Sequence, residues 1–171
     1  PNGEWSAAWL QESRSDLTSV DGDAVMLDGT LFSVLPWWDG DSVRAEVDDQ
    51  LQRDATRERS NWAWIYHCPP HETPVSWNGK RHFGDPGLAG WIRRHQPGLV
   101  FTGPVHESPF IKNGSWFHRM EDTFVFNAGR QLGAIPSVLV WNTDEKNITR
   151  ISQAGTERVD LENFREVEVL A

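Results

Sequence analysis

Cysteine is nearly absent. Cys68 is the only one in 171 residues, so no disulfide can close within the chain. That is compatible with a reducing compartment, and a cytoplasmic location is the expectation. Long apolar runs are missing too. None approaches the roughly 18 residues a helical membrane span needs, so no membrane partner is expected. Positive charge is scarce: 16 Lys and Arg face 25 Asp and Glu, a net charge of −9. Such a chain repels phosphate backbones at long range, which argues against a nucleic-acid scaffold role. Its densest basic stretch, Arg53 to Arg59, is interleaved with Asp54 and Glu58 and reads as a solvated helix face. There is no Gly-x-Ser-x-Gly elbow, so a serine hydrolase has no support. No internal repeat, low-complexity tract or linker interrupts the chain. The opening Pro1-Asn2-Gly3-Glu4 has neither the pattern of a signal peptide nor an initiator methionine, and it reads as a processed chain or a piece of a longer one.

What is present is a globular composition. Hydrophobic residues make up 38% and charged residues 24%, with 14 Gly and ten Trp. The length suits one domain with a sizeable core. Trp5, Trp9 and Leu10 stand at helical spacing, making residues 1–23 a helical lead-in. Strands are expected over Ala24–Leu27 and Thr30–Leu35, joined by Asp28-Gly29, a strong type I′ hairpin signal. After a loop at Pro36-Trp37-Trp38-Asp39-Gly40, Asp41 or Ser42 should cap a helix. Its apolar stripe is Val43, Val47 and Leu51, and its wet face carries Arg44/Asp48 and Asp49/Arg53 as i,i+4 pairs. Trp62-Ala63-Trp64-Ile65-Tyr66 reads as a buried strand, stopped by Pro69-Pro70. Asp85-Pro86 should open a second helix, with Leu88, Trp91, Ile92 and His95 on one face, and Pro97-Gly98 should end it. Leu99–Thr102 is a short strand. Thr123–Phe126, Ser137–Trp141, Ile148–Ile151 and Glu157–Leu161 complete a strand-rich second half, with Thr143 to Lys146 as a hairpin turn. The triplets Asn113-Gly114-Ser115 and Asn147-Ile148-Thr149 read as turns or strand ends rather than glycosylation sites.

Few constellations carry chemistry. His67 and His71 are four apart, but Pro69 and Pro70 between them forbid the helix a zincin site needs. A structural zinc site from Cys68, His67 and His71 lacks a second thiol. The glycine-rich stretch from Gly84 to Gly90 has no Lys-Ser/Thr ending and no strand immediately before it, so it is a weak phosphate loop. His67 and His106 stand out because they share a setting. Each follows the end of a buried strand, on a loop stiffened by proline. If those strands are parallel neighbours with residues 85–95 as the crossover helix, both imidazoles reach one sheet edge, where open α/β sheets place their sites. A neutral imidazole suits Zn, Mn, Fe or Ni. The competing reading is two loop histidines bonded to backbone carbonyls.

His67-Cys68-Pro69-Pro70, then a helix, a strand and Gly103-x-x-His106, resemble the second half of the calcineurin-like metallophosphoesterases. In that family an H-x-P-P-like element precedes G-H-x-H by one helix and one strand. The later Gly114-Ser115-Trp116, Thr123 to Gln131 and Pro136 resemble the strands after G-H-x-H in its small bacterial members, and the Leu27-Asp28-Gly29 hairpin and Pro36 to Gly40 also look like them. The resemblance covers about residues 24–152.

It implies an α/β (mixed α+β) fold, a four-layer α/β/β/α sandwich of which residues 1–171 would be the single, incomplete C-terminal portion. It also implies two divalent metal ions (Mn, Fe or Zn), one held by His67 and one by His106, and hydrolysis of a phosphate monoester or diester. Glu107 and Asp122 become candidate acceptors for a histidine N–H.

Two departures bear on activity. Pro104 stands where the family has a ligand histidine, and the upstream D-x-H, G-D-x-x-D and G-N-H-D/E elements are absent. Asn2 cannot be assigned the asparagine ligand's role. The expectation is therefore a fragment inactive alone, which associates with its missing N-terminal half or with itself. The alternatives are a non-catalytic descendant that binds a partner or ligand through the old cleft, and an interaction module with incidental histidines.

Overall fold

Residues 61–65 alternate two indoles on one side, Trp62 and Trp64, with Ala63 on the other, and this period of two organises the fold. The computed structural model describes residues 20–37, 40–162 and 168–170. The helix expected over residues 4–12 lies outside them.

Six strands form a mixed sheet: β1 (Asp23–Leu27), β2 (Thr30–Val34), β3 (Asn61–Ile65), β4 (Leu99–Thr102), β5 (Phe117–Met120) and β6 (Thr123–Asn127). Their order is β1-β2-β3-β4-β6-β5. Strands β2, β3, β4 and β6 are parallel, and β1 and β5 pair antiparallel at the edges. Helix α1 (Arg44–Ala55) crosses from β2 to β3, and α2 (Leu88–His95) crosses from β3 to β4. The turn between β1 and β2 has positive φ at both Asp28 (46°) and Gly29 (77°), as a type I′ hairpin requires. Four further strands, β7 (Val138–Asn142), β8 (Asn147–Ser152), β9 (Gly155–Asp160) and β10 (Glu168–Leu170), make an antiparallel sheet ordered β10-β9-β8-β7.

The two faces of the large sheet bury different partners. Leu31, Trp62, Trp64, Val100 and Val125 pack with Val47 and Leu51 of α1 and Leu88, Trp91 and Ile92 of α2. The intervening residues Phe32, Ala63, Leu99, Phe101, Phe124 and Phe126 face the other way, against Leu139, Trp141, Ile148 and Val159 of the small sheet. Each such large side chain contributes about 1.5–3 kcal/mol on burial. Arg150, buried on the inner face of β8, pairs with Glu157 and lays its guanidinium 4.9 Å from the Phe110 ring centre and 5.9 Å from that of Trp116. The result is a mixed α/β arrangement of one helical layer and two sheets. Of the four layers expected, the described residues form three. Val138, Val140 and Ile151 stay exposed on the outer face of the small sheet, where a second helical layer would lie. None of the described helices is long and apolar enough to cross a membrane.

Several local expectations change. Helix α1 begins at Arg44 behind a 3₁₀ turn (Gly40–Val43), with Val43 in the cap position and no side-chain cap. Arg44 and Asp48 do not pair with each other. Arg44 reaches Asp85 at 2.9 Å, and Asp48 takes Arg94 at 2.8 Å and the Trp91 indole N–H at 3.2 Å. Partners across the helix pair outcompete the i,i+4 neighbour because they also close the α1–α2 seam. Strands β5 and β10, unforeseen in the sequence, are an edge hairpin strand and a short closing strand.

Burial holds three histidines, His67, His95 and His118, below the ordinary imidazole value; at His95 the neighbouring Arg94 adds to the effect. A histidine with a lowered folded pKa takes up protons more readily when unfolded. Stability should therefore be full above pH 6.5 and fall as acid moves through the window between the unfolded value and the lowered folded ones. Urea midpoints measured from pH 7.5 to 5 should decline, and His118→Gln should flatten the slope. A midpoint indifferent to pH over that range would contradict the assignment.

Candidate functional site

The site is built where parallel strands end. Tyr66, the first residue past β3, donates its amide to the Phe101 carbonyl at 2.9 Å, and the Gly103 amide, just past β4, reaches the His67 carbonyl at 3.3 Å. The loops carrying His67 and His106 therefore leave the same edge of the sheet from adjacent strands, with α2 as the crossover between them. This is the arrangement the sequence suggested. The strand order runs one way from β2 to β6, so no reversal opens a crevice there. The edge is enclosed instead by the connection from β6 to β7, residues 128–137, which leaves the large sheet beside His106 to reach the small one. The Arg130 amide donates to the His106 carbonyl at 2.9 Å.

Two buried polar side chains hold these loops. Asp85, 0% exposed, accepts from the Tyr66 hydroxyl at 2.7 Å, Arg44 at 2.9 Å and the Gly87 amide at 2.7 Å. Its backbone bonds both sides of the double proline: the Asp85 amide to the Pro69 carbonyl (2.8 Å), and the His71 amide to the Asp85 carbonyl (3.2 Å). Asp85 thus clamps the His67 loop to the entry of α2. The Asp85-Pro86 pair was expected to cap that helix, but α2 starts at Leu88. The carboxylate is occupied by the clamp instead.

Asn127, also 0% exposed, serves the His106 loop. Its amide nitrogen donates to the carbonyls of Val105 (2.8 Å) and Val75 (3.2 Å), and its oxygen accepts the Gly129 amide at 3.0 Å. Gly129 has a φ of +69°, and a Cβ there would lie 2.6 Å from the Pro109 ring, so only glycine fits this turn. Sequence reasoning gives Asn127 no role of its own. The one signal is a polar residue closing the otherwise apolar strand Thr123 to Phe126.

The two histidines differ in surroundings. His67 is half-buried, and the Trp37 indole lies over it with ring centres 3.8 Å apart at 32°. Trp37 is itself 64% exposed, so this contact gives a role to an aromatic loop that had none. Burial keeps the imidazole neutral further into acid. His106 is exposed and lines a cavity of about 560 Å³ with Gly103 and residues of the 129–137 connection. Glu107 is exposed beside it. Asp122 is not available to either histidine. It precedes β6, at the opposite end of the parallel strands, and pairs with Arg119 at 3.0 Å.

No group of three His, Cys, Asp or Glu side chains among the described residues could hold a metal ion. The Cys68, His67 and His71 trio therefore fails as a zinc site. Cys68 is buried, and its thiol is pushed up to about 12. His67 and His106 offer two imidazole donors, and among the described residues no bridging carboxylate joins them, so the described residues do not fit a complete two-metal centre.

No family model matches the chain, and no curated protein matches it. A solved crystal structure is similar with a TM-score of 0.59 and 13% identity, over 96% of this chain and 59% of its own length. The likeness shows a shared fold alone, and the chain spans 59% of the length of that structure. The crystal structure of TT1561 of Thermus thermophilus is similar over 91% of this chain and 64% of its own, at 14% identity and a TM-score of 0.49. A single mutant of Vps29 from Entamoeba histolytica covers 81% of each chain at 9% identity and a TM-score of 0.29. The last two likenesses are too weak to bear on the fold.

Proposed function

We propose that this chain is the C-terminal part of a metal-dependent phosphoesterase domain of the calcineurin-like type. In it, His67 and His106 would each give one imidazole to a two-metal site (Mn, Fe or Zn) that acts on a phosphate monoester or diester. The reading rests on one observation: adjacent parallel strands bring both histidines to a single sheet edge, with the Gly103 amide on the His67 carbonyl. The neutral state of His67 suits a metal donor. The donor set among the described residues is incomplete, and on this reading the remaining ligands come from chain outside residues 1–171. That chain would also supply the fourth layer over the exposed face of the small sheet. On this reading residues 1–171 alone are inactive and associate with the missing half.

A second reading draws on Pro104, which takes a ligand position of the family motif and has no donor atom to offer; its carbonyl accepts the His106 amide at 3.1 Å. A descendant that binds a partner or ligand without hydrolysis would carry such a residue. The two readings separate on the longest natural chain encoded in frame. The phosphoesterase reading expects D-x-H and G-D-x-x-D upstream of Pro1, bound metal, and hydrolysis of p-nitrophenyl phosphate that residues 1–171 lack. Absence of those motifs, or a metal-loaded long chain without turnover, would overturn it in favour of the second.

A further inference from the structure

Neither reading of the histidines uses the free edge of the small sheet. The order β10-β9-β8-β7 leaves β7 at that edge. Among the described residues, no backbone hydrogen bond joins residues 138–142 to anything other than β8. An edge strand offers a row of open N–H and C=O groups, and proteins blunt such rows with charge or by keeping the strand short. The other three edge strands follow that rule: β1 contains Asp23, β5 contains Arg119, and β10 is three residues long with Glu168. Strand β7, Val138-Leu139-Val140-Trp141-Asn142, has five residues and no charge.

The uncharged stretch is longer than the strand. Residues 131–143 contain no Asp, Glu, Lys or Arg, in a chain with 24% charged residues. Leu132, Ile135, Val138, Val140 and Ile151 are half of the ten large apolar side chains left exposed among the described residues. The first four lie in this stretch, and Ile151 stands opposite Val138 on β8. An apolar strip beside an open edge suits an added strand, which pairs through its main chain along the edge and through alternate side chains on each face. Charge selects the strand. A basic partner would seek the carboxylates that give the chain its net charge of −9, and this strip has none. What matches an uncharged strip is another one, and a second copy of the chain brings it.

We propose that two copies of this chain pair antiparallel along β7, joining their four-stranded small sheets into one continuous sheet. A two-fold axis at Val140 sets that residue against its counterpart, Leu139 against the partner's Trp141, and Val138 against the partner's Asn142. Opposed residues then share a face, as the pleat requires. Val138 and Val140 extend the apolar strip across the seam, and Leu139 and Trp141 extend the core between the sheets. The acidic turns at Asp144 and Glu145 fall at opposite ends of the seam. Such pairing uses the same patch on both copies and closes at two. It holds under either reading of the histidines, because β7 carries neither of them.

Sedimentation velocity of residues 1–171 across a concentration series tests this. A reversible monomer–dimer equilibrium is expected, tightening as salt screens the −9 on each copy. Val140→Lys should weaken the dimer by about tenfold or more, since the axis sets one lysine directly against the other. Val140 is half-exposed, so the monomer should keep its fold, and unfolding midpoints at low concentration check that it does. Met26→Lys, an exposed position on edge strand β1, should leave the dimer unchanged. Amide exchange of the unsubstituted chain adds a check free of any variant: residues 138–142 should gain protection as concentration rises. A monomer at every concentration would overturn the proposal and mean that another segment or protein covers β7. An assembly larger than two, a dimer indifferent to Val140→Lys, or a dimer without new protection in residues 138–142 would each overturn it as well.

Discussion

Replacing Asp85 with alanine should cost about 3–5 kcal/mol of folding stability, the range for breaking a buried ion pair from one side. The carboxylate is fully buried and takes three donors: the Arg44 guanidinium, the Tyr66 hydroxyl and the Gly87 amide. Removing it takes one carboxylate from the Arg44 guanidinium and leaves the buried Tyr66 phenol without this acceptor, and the phenol cannot turn to water without opening the packing against Trp91. The phenol stays protonated throughout, because burial and then Asp85 itself push its pKa well above the ordinary tyrosine value. The loss should therefore be the same at pH 6.5 and pH 8. Asp85→Asn keeps the volume and part of the bonding and should cost less, about 1–3 kcal/mol. Guanidinium unfolding followed by tryptophan fluorescence measures both. A loss under about 1 kcal/mol for the alanine variant would show that the backbone bridge at Pro69 and His71 holds the loop unaided.

The same residue shows where sequence reading stops. Asp85-Pro86 has the local grammar of a helix start, and the helix does follow, but Asp85 is spent on Tyr66 and Arg44, 19 and 41 residues away. Partners at that separation leave no local trace. Elements with a local cause were legible: the Asp28-Gly29 hairpin, the aromatic strand β3 and the crossover helix α2; the parallel pairing of β3 with β4 entered the sequence reading only as a condition. From the alternation of Trp62, Ala63 and Trp64 one could also have inferred that both faces of the sheet are covered. What covers each face could not be read, because it depends on the order of the strands. The site follows the same rule. His67 and His106 could be singled out because each follows the end of a buried strand, whereas the contacts of Asn127, Arg130 and Trp37 reach segments distant in sequence.

On the proposed phosphoesterase reading, the largest functional effect should come from the two histidines, measured in the longest natural chain. His67→Ala and His106→Ala should each lower hydrolysis of p-nitrophenyl phosphate by about 100-fold or more, since weaker changes around metal ligands already cost 10–100-fold. The two positions are not equivalent. A metal binds an imidazole in the plane of its ring, along the nitrogen lone pair, so the Trp37 indole stacked on the face of His67 leaves the donor free and fixes the ring's tilt. Trp37→Ala should therefore weaken zinc affinity without abolishing it, whereas no such support is expected for the exposed His106. Protonation supplies a second check. Because the folded value of His67 lies below the ordinary one, its competition with metal sets in only below pH 6.5, so affinity should hold down to that point and then fall. If the histidines serve one centre, the double variant should lose little more than either single one, because residues that act as a unit are strongly non-additive. Independent, multiplying losses would place them in separate sites. Full activity in both single variants would remove the histidines from the chemistry.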